Sequence, residues 1–270
     1  MAAGKRFRRL LLTGAAGGLG TMLRPKLAEL CETLRVSDIA DMGEAAGHEE
    51  VVQCDLADAD AALELTRDVD AVVHMGGKGL EGTWDEVLSG NIVGFYNTFE
   101  GCRKNGVKRL VWGSSNHAIG FYRREQVIDA SVYPRPDSNY GVSKVFGEGI
   151  AQYYWDKFGL ETVSIRIGSC FPEPRDRRML TTWLSYRDCQ HLVERCLIAP
   201  RVAHTVIYGV SDNDMKLWDN WMAAHIGYRP QDNAEAFRAK VEAETPAPDP
   251  TDLVHACHGG GFAAGGHFED

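Results

Sequence analysis

Residues 13–20 read TGAAGGLG and follow a short apolar segment, RLLLT (9–13). Gly14, Gly17 and Gly20 give the spacing G-x-x-G-x-x-G, which differs from the G-x-G-x-x-G fingerprint of dinucleotide-binding folds. The physical requirement is shared, because glycine lets a backbone turn tightly and approach a pyrophosphate at the positive N-terminus of a helix. Glycine-rich loops also occur for structural reasons alone, so the surrounding sequence must decide.

Outward from this loop, short apolar segments alternate with longer helical patterns. Strands that are apolar throughout and alternate with helices indicate a parallel sheet covered on both faces. We therefore predict an α/β fold built on a doubly wound parallel sheet. The predicted strands are 9–13, 33–38, 51–55, 71–75, 109–115 and 162–168, and the predicted helices are 17–30, 58–66, 83–106 and one from Asp137 or Ser138 to Phe158.

In such a sheet, ligands bind outside the carboxyl ends of the strands. The residues that directly follow the predicted strands are therefore the candidates for function. These are Gly14–Gly20, Asp38, Asp55, Met75–Gly77, Ser114–His117 and Gly168–Cys170.

Asp38 ends the second predicted strand, where a carboxylate would accept hydrogen bonds from the ribose hydroxyls of NAD and repel a 2′-phosphate. The next residues are Ile39 and Ala40, so no arginine follows to bind that phosphate. Together with the glycine loop, Asp38 predicts that the protein binds NAD in preference to NADP.

Two further strand ends fit the same ligand. Asp55 and Leu56 follow the third predicted strand, where an adenine ring would lie. Asp55 also has a structural interpretation as the N-cap of the next helix, and the two interpretations are compatible. Met75, Gly76 and Gly77 follow the fourth strand, with glycines where the backbone must approach a ligand.

The stretch SNYGVSK (138–144) places Tyr140 and Lys144 one helical turn apart. Residues four apart share a helix face, so the phenol and the ammonium would lie side by side. A nearby positive charge favours the tyrosine anion and lowers a pKa that is ordinarily near 10. The spacing alone leaves two interpretations open, a decorated helix surface or a base adjusted to neutral pH.

Composition excludes several classes of protein. The net charge of −9 over 270 residues argues against binding to nucleic acid or to an anionic membrane surface, and no apolar run approaches the roughly 20 residues of a membrane span. The seven cysteines include no C-x-x-C pair and no zinc-type spacing. We expect a cytoplasmic protein with reduced thiols and no metal site.

The motifs TGAAGGLG, CDLAD, HMGG, GNIVG, SSNHAIG and YGVSK occur in this order over roughly the first 170 residues. In this set the chain resembles the extended short-chain dehydrogenase/reductase family, also described as NAD-dependent epimerases and dehydratases. Within that family SSNHAIG, YGVSKVFGE, RIGSCFPEP, RRML and DNAEAFR resemble the uronate dehydrogenases, so the likeness spans nearly the whole chain.

The resemblance implies a Rossmann fold, with an NAD-binding domain that carries the catalytic residues at 1–168 and a small substrate-binding segment and tail at 169–270. It implies a catalytic set of Tyr140, Lys144 and Ser115 with support from Asn91. It implies substrate contacts from Ser115, Asn116, His117, Ser169 and Arg178. The cofactor would contact Gly14, Gly17, Gly18, Leu19, Gly20, Asp38, Asp55, Leu56, Met75, Gly76, Gly77, Tyr140, Lys144 and Cys170. Gly79 departs from the family, in which a serine would contact the sugar.

The implied reaction is NAD-dependent oxidation of the C1 hydroxyl of a hexuronic acid to an aldarolactone, with Tyr140 as the base, and the implied assembly is a homo-oligomer. A sugar-nucleotide epimerase or dehydratase would use the same fold and the same Tyr/Lys pair, and a non-catalytic NAD-binding scaffold is a third possibility. The short region after residue 168 favours a small sugar over a nucleotide sugar. His117 is open to two interpretations, a substrate ligand or a satisfied buried histidine. The Gly/Pro-rich tail is the segment that we expect to be flexible.

Overall fold

Three consecutive leucines, Leu10, Leu11 and Leu12, form the centre of the first strand and are completely buried. Alternate side chains of a strand point to opposite faces of the sheet, so this strand needs apolar partners on both sides. A computed structural model describes residues 5–249 and 251–268. It shows Leu10 and Leu12 in one core cluster and Leu11 in another. The predicted sheet with two covered faces is confirmed.

Within the described residues, seven strands form one parallel sheet in the order β3-β2-β1-β4-β5-β6-β9. This is the order of a doubly wound fold, which reverses direction between β1 and β4 and leaves a crevice there. The strands are β1 Phe7–Thr13, β2 Cys31–Asp38, β3 Glu49–Gln53, β4 Ala71–His74, β5 Arg109–Ser115, β6 Glu161–Ile167, β7 Ser169–Cys170, β8 Trp183–Leu184 and β9 His204–Gly209, with β7 and β8 paired separately.

The helices cover the two faces of the sheet as separate layers. One face packs against Leu23, Leu27 and Leu192, and the other against Phe99 and Tyr154. The helices are α1 Gly18–Leu30, α2 Ala59–Leu65, α3 Trp84–Val87, α4 Gly94–Lys104, α5 Asn139–Phe158, α6 Met179–Thr182, α7 Tyr186–Ile198, α8 Arg238–Glu244, α9 Leu253–Ala256 and α10 Gly261–Ala264, with 3-10 turns at Asn116–Ile119, Trp221–Ile226 and Ala234–Phe237.

The long helix predicted at 83–106 contains a change of helix type. A π-helical segment, Leu88–Val93, joins α3 to α4. A π-helical turn widens the backbone ladder and is frequent at functional sites. It occurs here at Asn91, a residue whose helix propensity is modest.

The sequence predicts a flexible tail, but the structure shows part of the tail folded against the rest of the protein. Residues 253–264 form α9 and α10 and pack against the turn that follows β5, where His258 N donates to Tyr122 O and Gly259 N donates to Gly120 O, each at 2.9 Å. Buried small residues such as Ala256 and Ala263 allow this close packing. The linker before these helices includes residue 250, which lies outside the described residues. Residues 1 and 270, the outer limits of the two predicted domains (1–168 and 169–270), also lie outside them.

None of the helices in the described ranges combines the length and the apolar character needed to cross a bilayer. All seven cysteines lie within these ranges and are free thiols.

Candidate active site

A cavity of about 670 Å³ opens at the carboxyl ends of β1 to β4, in the crevice predicted from the strand order. Its volume falls in the range of ligand-binding clefts. The lining combines the glycine loop, the end of β2, the end of β3 and the turn after β4. The predicted cofactor residues that line it are Gly14, Gly17, Asp38, Asp55, Leu56, Met75, Gly76 and Gly77.

Two loop positions accept only glycine. Gly14 has φ +69°, and a Cβ there would lie 2.4 Å from the backbone of Met75. A Cβ on Gly20 would lie 2.0 Å from Gly14 O, so Gly20 serves the packing of α1 against the loop and does not line the cavity. Gly18 has open space around it.

Helix α1 begins at the cavity, with Gly17 as an N-cap that offers no side-chain hydrogen bond. Its first N–H groups therefore have no capping side chain and suit an anion such as a pyrophosphate. The donor chemistry of this loop fits the dinucleotide that the sequence predicts.

Asp38 lies at the edge of the cavity and is held by backbone groups on both oxygens. Ala16 N donates to Oδ2 at 3.0 Å and Ala40 N donates to Oδ1 at 3.1 Å. Each carboxylate oxygen has a second lone pair, so Asp38 can still accept hydrogen bonds from a ribose. Its neighbours in the lining, Ile39 and Ala40, bring no positive charge.

Asp55 lines the cavity, but its interpretation as a helix N-cap is wrong. Its Oδ1 accepts a hydrogen bond from Ala57 N at 2.9 Å in a local turn. The cap of α2 is Asp58, which accepts hydrogen bonds from Asp60 N and Ala61 N. Chain geometry explains the difference, because β3 ends at Gln53 and leaves one more turn before the helix.

A second cavity of about 340 Å³ adjoins the first and shares Met75, Gly76, Gly77 and Lys78 with it. The remaining lining comes from the end of β5, the start of α5, the end of β6 and the C-terminal segment. The predicted site residues found here are Leu19, Ser115, Asn116, His117, Tyr140, Lys144, Ser169, Cys170 and Arg178, and Gly79 lies at the rim.

Tyr140 and Lys144 are both buried on the face of α5 that meets β5, so the surface interpretation of the pair is wrong. Ser138 is the N-cap of α5 and accepts a hydrogen bond from Gly141 N, which sets Tyr140 in the first turn. The Tyr140 hydroxyl pairs with the Ser115 side chain. Lys144 Nζ donates to Gly113 O at 2.9 Å and lies 5.0 Å from the centre of the Tyr140 ring.

Burial shifts both pKa values in the direction that disfavours charge. It raises the pKa of Tyr140 to about 12, although the hydrogen bond with Ser115 opposes the shift. It lowers the pKa of Lys144 to about 8. We expect Lys144 and the positive nicotinamide ring together to favour the phenolate; in the protein without cofactor, desolvation is the largest influence on the phenol and keeps its pKa high.

Asn91 supports the site from a distance. Its Oδ1 accepts a hydrogen bond from Lys78 N at 2.7 Å, and its Nδ2 donates to Lys78 O and Ser143 Oγ at 3.1 and 3.0 Å. Asn91 thus ties the turn after β4 to α5, and it makes no hydrogen bond with Lys144. The wider π-helical turn brings this amide to the loop.

Arg178 is held by three neutral acceptors. Its Nε donates to His258 O at 2.9 Å and its Nη1 donates to Ser169 Oγ at 3.2 Å. With the Asn116 amide oriented so that both of its groups are satisfied, Nη2 donates to Asn116 Oδ1 at 2.9 Å. No carboxylate of the described residues pairs with Arg178, and burial lowers its pKa. The two other arginines of its loop have different partners: Arg175 lies over the Phe171 ring, and Arg177 donates to backbone carbonyls at the C-terminal end of α8, Glu242 O and Thr245 O.

His117 fits both of its interpretations. Its Nδ1 pairs with Asp137 at 2.9 Å, while the ring lines the substrate-sized cavity. Phe262 stacks on this ring with centroids 4.0 Å apart. Sequence reasoning missed Asp137 and Phe262 as parts of the site. The available signals were an acid directly before a helix cap and an isolated aromatic residue in a glycine-rich tail.

Cys170 lines the same cavity beside Met75 and Gly76. A hydrogen bond with Cys189, together with burial, raises the pKa of its thiol. It is thus a neutral, weakly polar wall and not a nucleophile.

Comparisons with known proteins agree with this geometry. Residues 10–188 match the model of the NAD dependent epimerase/dehydratase family. The uronate dehydrogenase of Pseudomonas putida is 54% identical over 263 residues, which cover 97% of this chain and 98% of that protein. The crystal structure of a glucuronic acid dehydrogenase from Chromohalobacter salexigens has a TM-score of 0.96 at 48% identity, covering 98% of this chain and 99% of that one.

A mutant of the uronate dehydrogenase from Agrobacterium tumefaciens, solved in complex with NAD, has a TM-score of 0.94 at 46% identity and covers 97% of this chain and 98% of that one. The family match covers more than half of the chain, and the identities to these relatives are near one half over nearly the full length. The chain belongs to the NAD-dependent epimerase/dehydratase family and, within it, to the uronate dehydrogenases.

Proposed function

We propose that this protein catalyses the NAD-dependent oxidation of the C1 hydroxyl of a hexuronic acid, such as galacturonate or glucuronate, to an aldarolactone. The observation that carries the proposal is the position of Arg178. A guanidinium without a carboxylate partner among the described residues shares one small cavity with the Tyr140–Ser115 pair. An acidic protein needs such a local cation to bind an anionic sugar, and a planar guanidinium suits a carboxylate.

The cofactor would be held by the glycine loop, Asp38 and the turn after β4, and when bound it supplies the hydride acceptor. Ser115 donates to the reacting hydroxyl oxygen and orients it. Tyr140 receives the hydroxyl proton on its phenolic oxygen as general base. Lys144 supplies positive charge beside the phenol, and the shell of acceptors around Arg178 fixes the guanidinium for the substrate carboxylate.

Because its pKa is raised, Tyr140 cannot act as a base at neutral pH until positive charge is added near its oxygen. The phenol is protonated in the protein alone, with a pKa of about 12. A base for neutral pH requires added positive charge near its oxygen, and the adjoining cofactor cavity is where such charge would enter. We expect the Tyr140 pKa to fall when the site is filled.

We also propose that residues 1–168 hold the cofactor and the reacting groups, while 169–270 supply mainly walls of the substrate pocket. Ser169, Cys170, Arg178 and Phe262 support this division, since all four line the smaller cavity. The sheet itself does not divide at residue 168, because β9 pairs with β6.

A homo-oligomer is a further part of the proposal. Apolar side chains of α4, α5 and the preceding π-helical segment remain exposed, with Val93 38%, Tyr96 48%, Tyr153 47% and Phe158 41% accessible. The two helices are neighbours, since Arg103 lies over the Phe158 ring at 5.1 Å. Light scattering of the purified protein tests this, and a monomer at micromolar concentration would contradict it.

The activity is tested by following NADH formation with galacturonate, glucuronate and galactose, and by identifying the product by NMR as a lactone. We expect NADH from the two acids and little from galactose. A protein that purifies with bound NAD, forms no net NADH from the acids and interconverts a nucleotide sugar would instead be an epimerase. Equal activity on galactose would show that the acid is not recognised.

A further inference from the structure

A buried carboxylate behind the substrate cavity has no part in the chemistry proposed so far. The Asp137 side chain is fully buried, and both of its oxygens face His117 Nδ1, at 3.1 Å from Oδ1 and 2.9 Å from Oδ2. No lysine or arginine of the described residues forms an ion pair with it. A buried charge is costly unless it is hydrogen-bonded, so its neighbours must hold it in one arrangement.

The position of Oδ2 is fixed by two backbones that meet from distant parts of the chain. A Cβ on Gly120 would lie 1.8 Å from Oδ2, and a Cβ on Gly259 would lie 1.7 Å from it. Gly259 N also donates to Gly120 O at 2.9 Å. The carboxylate therefore has no room to rotate, and any side chain at either glycine would displace it.

The other oxygen is fixed by a directed hydrogen bond. Ser138 Oγ accepts from Gly141 N at 2.9 Å, so its own hydrogen is free to donate to Asp137 Oδ1, also at 2.9 Å. An ionised carboxylate only accepts hydrogen bonds. His117 Nδ1 must then be the donor.

The His117 ring also borders the smaller cavity. The ring lines the cavity between Phe262, stacked at 4.0 Å, and Tyr140, edge-on at 5.8 Å. None of the described residues forms a hydrogen bond with Nε2. When Nδ1 carries the proton of a neutral imidazole, Nε2 is an acceptor.

We propose that Asp137 is a positioning residue that holds His117 in the Nδ1–H form, so that Nε2 accepts a hydrogen bond from a hydroxyl of the sugar. This inference rests on the proposed function, because it takes the ligand of the cavity to be a polyhydroxylated sugar acid. On this account, Asp137 does not touch the sugar; it determines which nitrogen of His117 carries the proton, and so whether Nε2 can accept a hydrogen bond from a sugar hydroxyl.

Asp137→Asn reverses the proton position with almost no change in shape. Ser138 would still donate to an oxygen at the Oδ1 position, which places the amide NH₂ at the Oδ2 position, 2.9 Å from Nδ1. The amide would donate to Nδ1 and move the imidazole proton to Nε2. We expect kcat/KM with galacturonate to fall roughly 10- to 100-fold, the effect of one lost substrate hydrogen bond and an unsatisfied group, with NAD affinity unchanged within about twofold.

A double-mutant cycle separates positioning from a general structural role. If Asp137 acts through His117, Asp137→Asn should have less than about a twofold further effect on kcat/KM in a His117→Ala background. Losses that multiply in the double variant would overturn the proposal.

The tautomer is read without turnover, by ¹⁵N NMR of histidine-labelled protein, with His117 assigned from the His117→Ala spectrum. We expect protonated Nδ1 in the wild type, protonated Nε2 in Asp137→Asn, and the wild-type form in Ser138→Ala, which weakens the α5 cap but keeps the carboxylate. A wild-type proton on Nε2 would overturn the proposal. A wild type that forms no NADH from any uronate would refute the proposed function, while this spectrum would still decide the tautomer.

Discussion

Replacing Arg178 tests whether the pocket recognises a carboxylate. Three of its five N–H groups bind His258 O, Ser169 Oγ and Asn116 Oδ1, which leaves one N–H on each terminal nitrogen for the substrate. Charge-assisted hydrogen bonds of this kind contribute about 1.5–3 kcal/mol each, and part of that is recovered by solvent in the variant. We therefore expect Arg178→Ala to lose about 2–4 kcal/mol of transition-state binding, or roughly 30- to 1,000-fold in kcat/KM with galacturonate.

The assay compares galacturonate with galactose for the wild type, Arg178→Ala and Arg178→Lys. Arg178→Ala also removes the partners of His258 O and Ser169, so some activity is lost through the damaged wall. Both sugars meet the same wall, and the ratio of their kcat/KM values therefore isolates the carboxylate contact. Arg178→Lys keeps the charge but not the planar geometry and should lie between the other two.

Arg175→Ala is the matched control, because Arg175 belongs to the same loop but is exposed and lies over the Phe171 ring at 4.1 Å. It should change the acid-to-neutral ratio by less than about twofold. The reasoning fails if Arg178→Ala retains the wild-type preference for the acid, or if the wild type has no such preference.

Tyr140→Phe should abolish turnover and leave the NAD dissociation constant within a few-fold, since the phenol is the proton acceptor but not the main cofactor contact; an active variant would remove Tyr140 from the mechanism. NAD should be preferred over NADP by a wide margin, and Asp38→Ala should narrow that margin, whereas equal wild-type turnover with both cofactors would contradict the role of Asp38. Burial lowers the Lys144 pKa to about 8 from 10.5, so between these values Lys144 holds a proton in the unfolded chain but not in the cofactor-free folded protein, and its contribution to stability becomes more favourable as pH rises. Buried thiols with raised pKa values act in the opposite direction in both proteins, so the measure is the difference in Tm between the wild type and Lys144→Met, which should move in favour of the wild type from pH 8 to about pH 10; a difference that does not change with pH would contradict the shift.

The parts of the site that sequence predicted are those encoded by neighbouring residues. A strand, a tight loop and a helix follow one another in residues 7–30, so the glycine spacing places the pyrophosphate loop directly. The same holds for Asp38 at the end of β2. Tyr140 and Lys144 share a helix face because their spacing alone requires it.

The spacing of residues in the sequence does not predict how deeply each side chain is buried. The Tyr140–Lys144 distance follows from the helix, but the pKa of each depends on how completely the sheet and the loops exclude water. Long-range contacts were equally hidden. The stacking of Phe262 on His117 requires the tail to return across the end of the sheet, and no local pattern in a glycine-rich segment encodes that path.

The tail lines the sugar pocket but not the cofactor groove, so the two cavities depend on different parts of the chain. All residues that line the larger cavity precede residue 91, whereas the smaller cavity needs Phe262 and the backbone of His258. A chain shortened after residue 252 would therefore keep its cofactor groove while its sugar pocket stood open on one side.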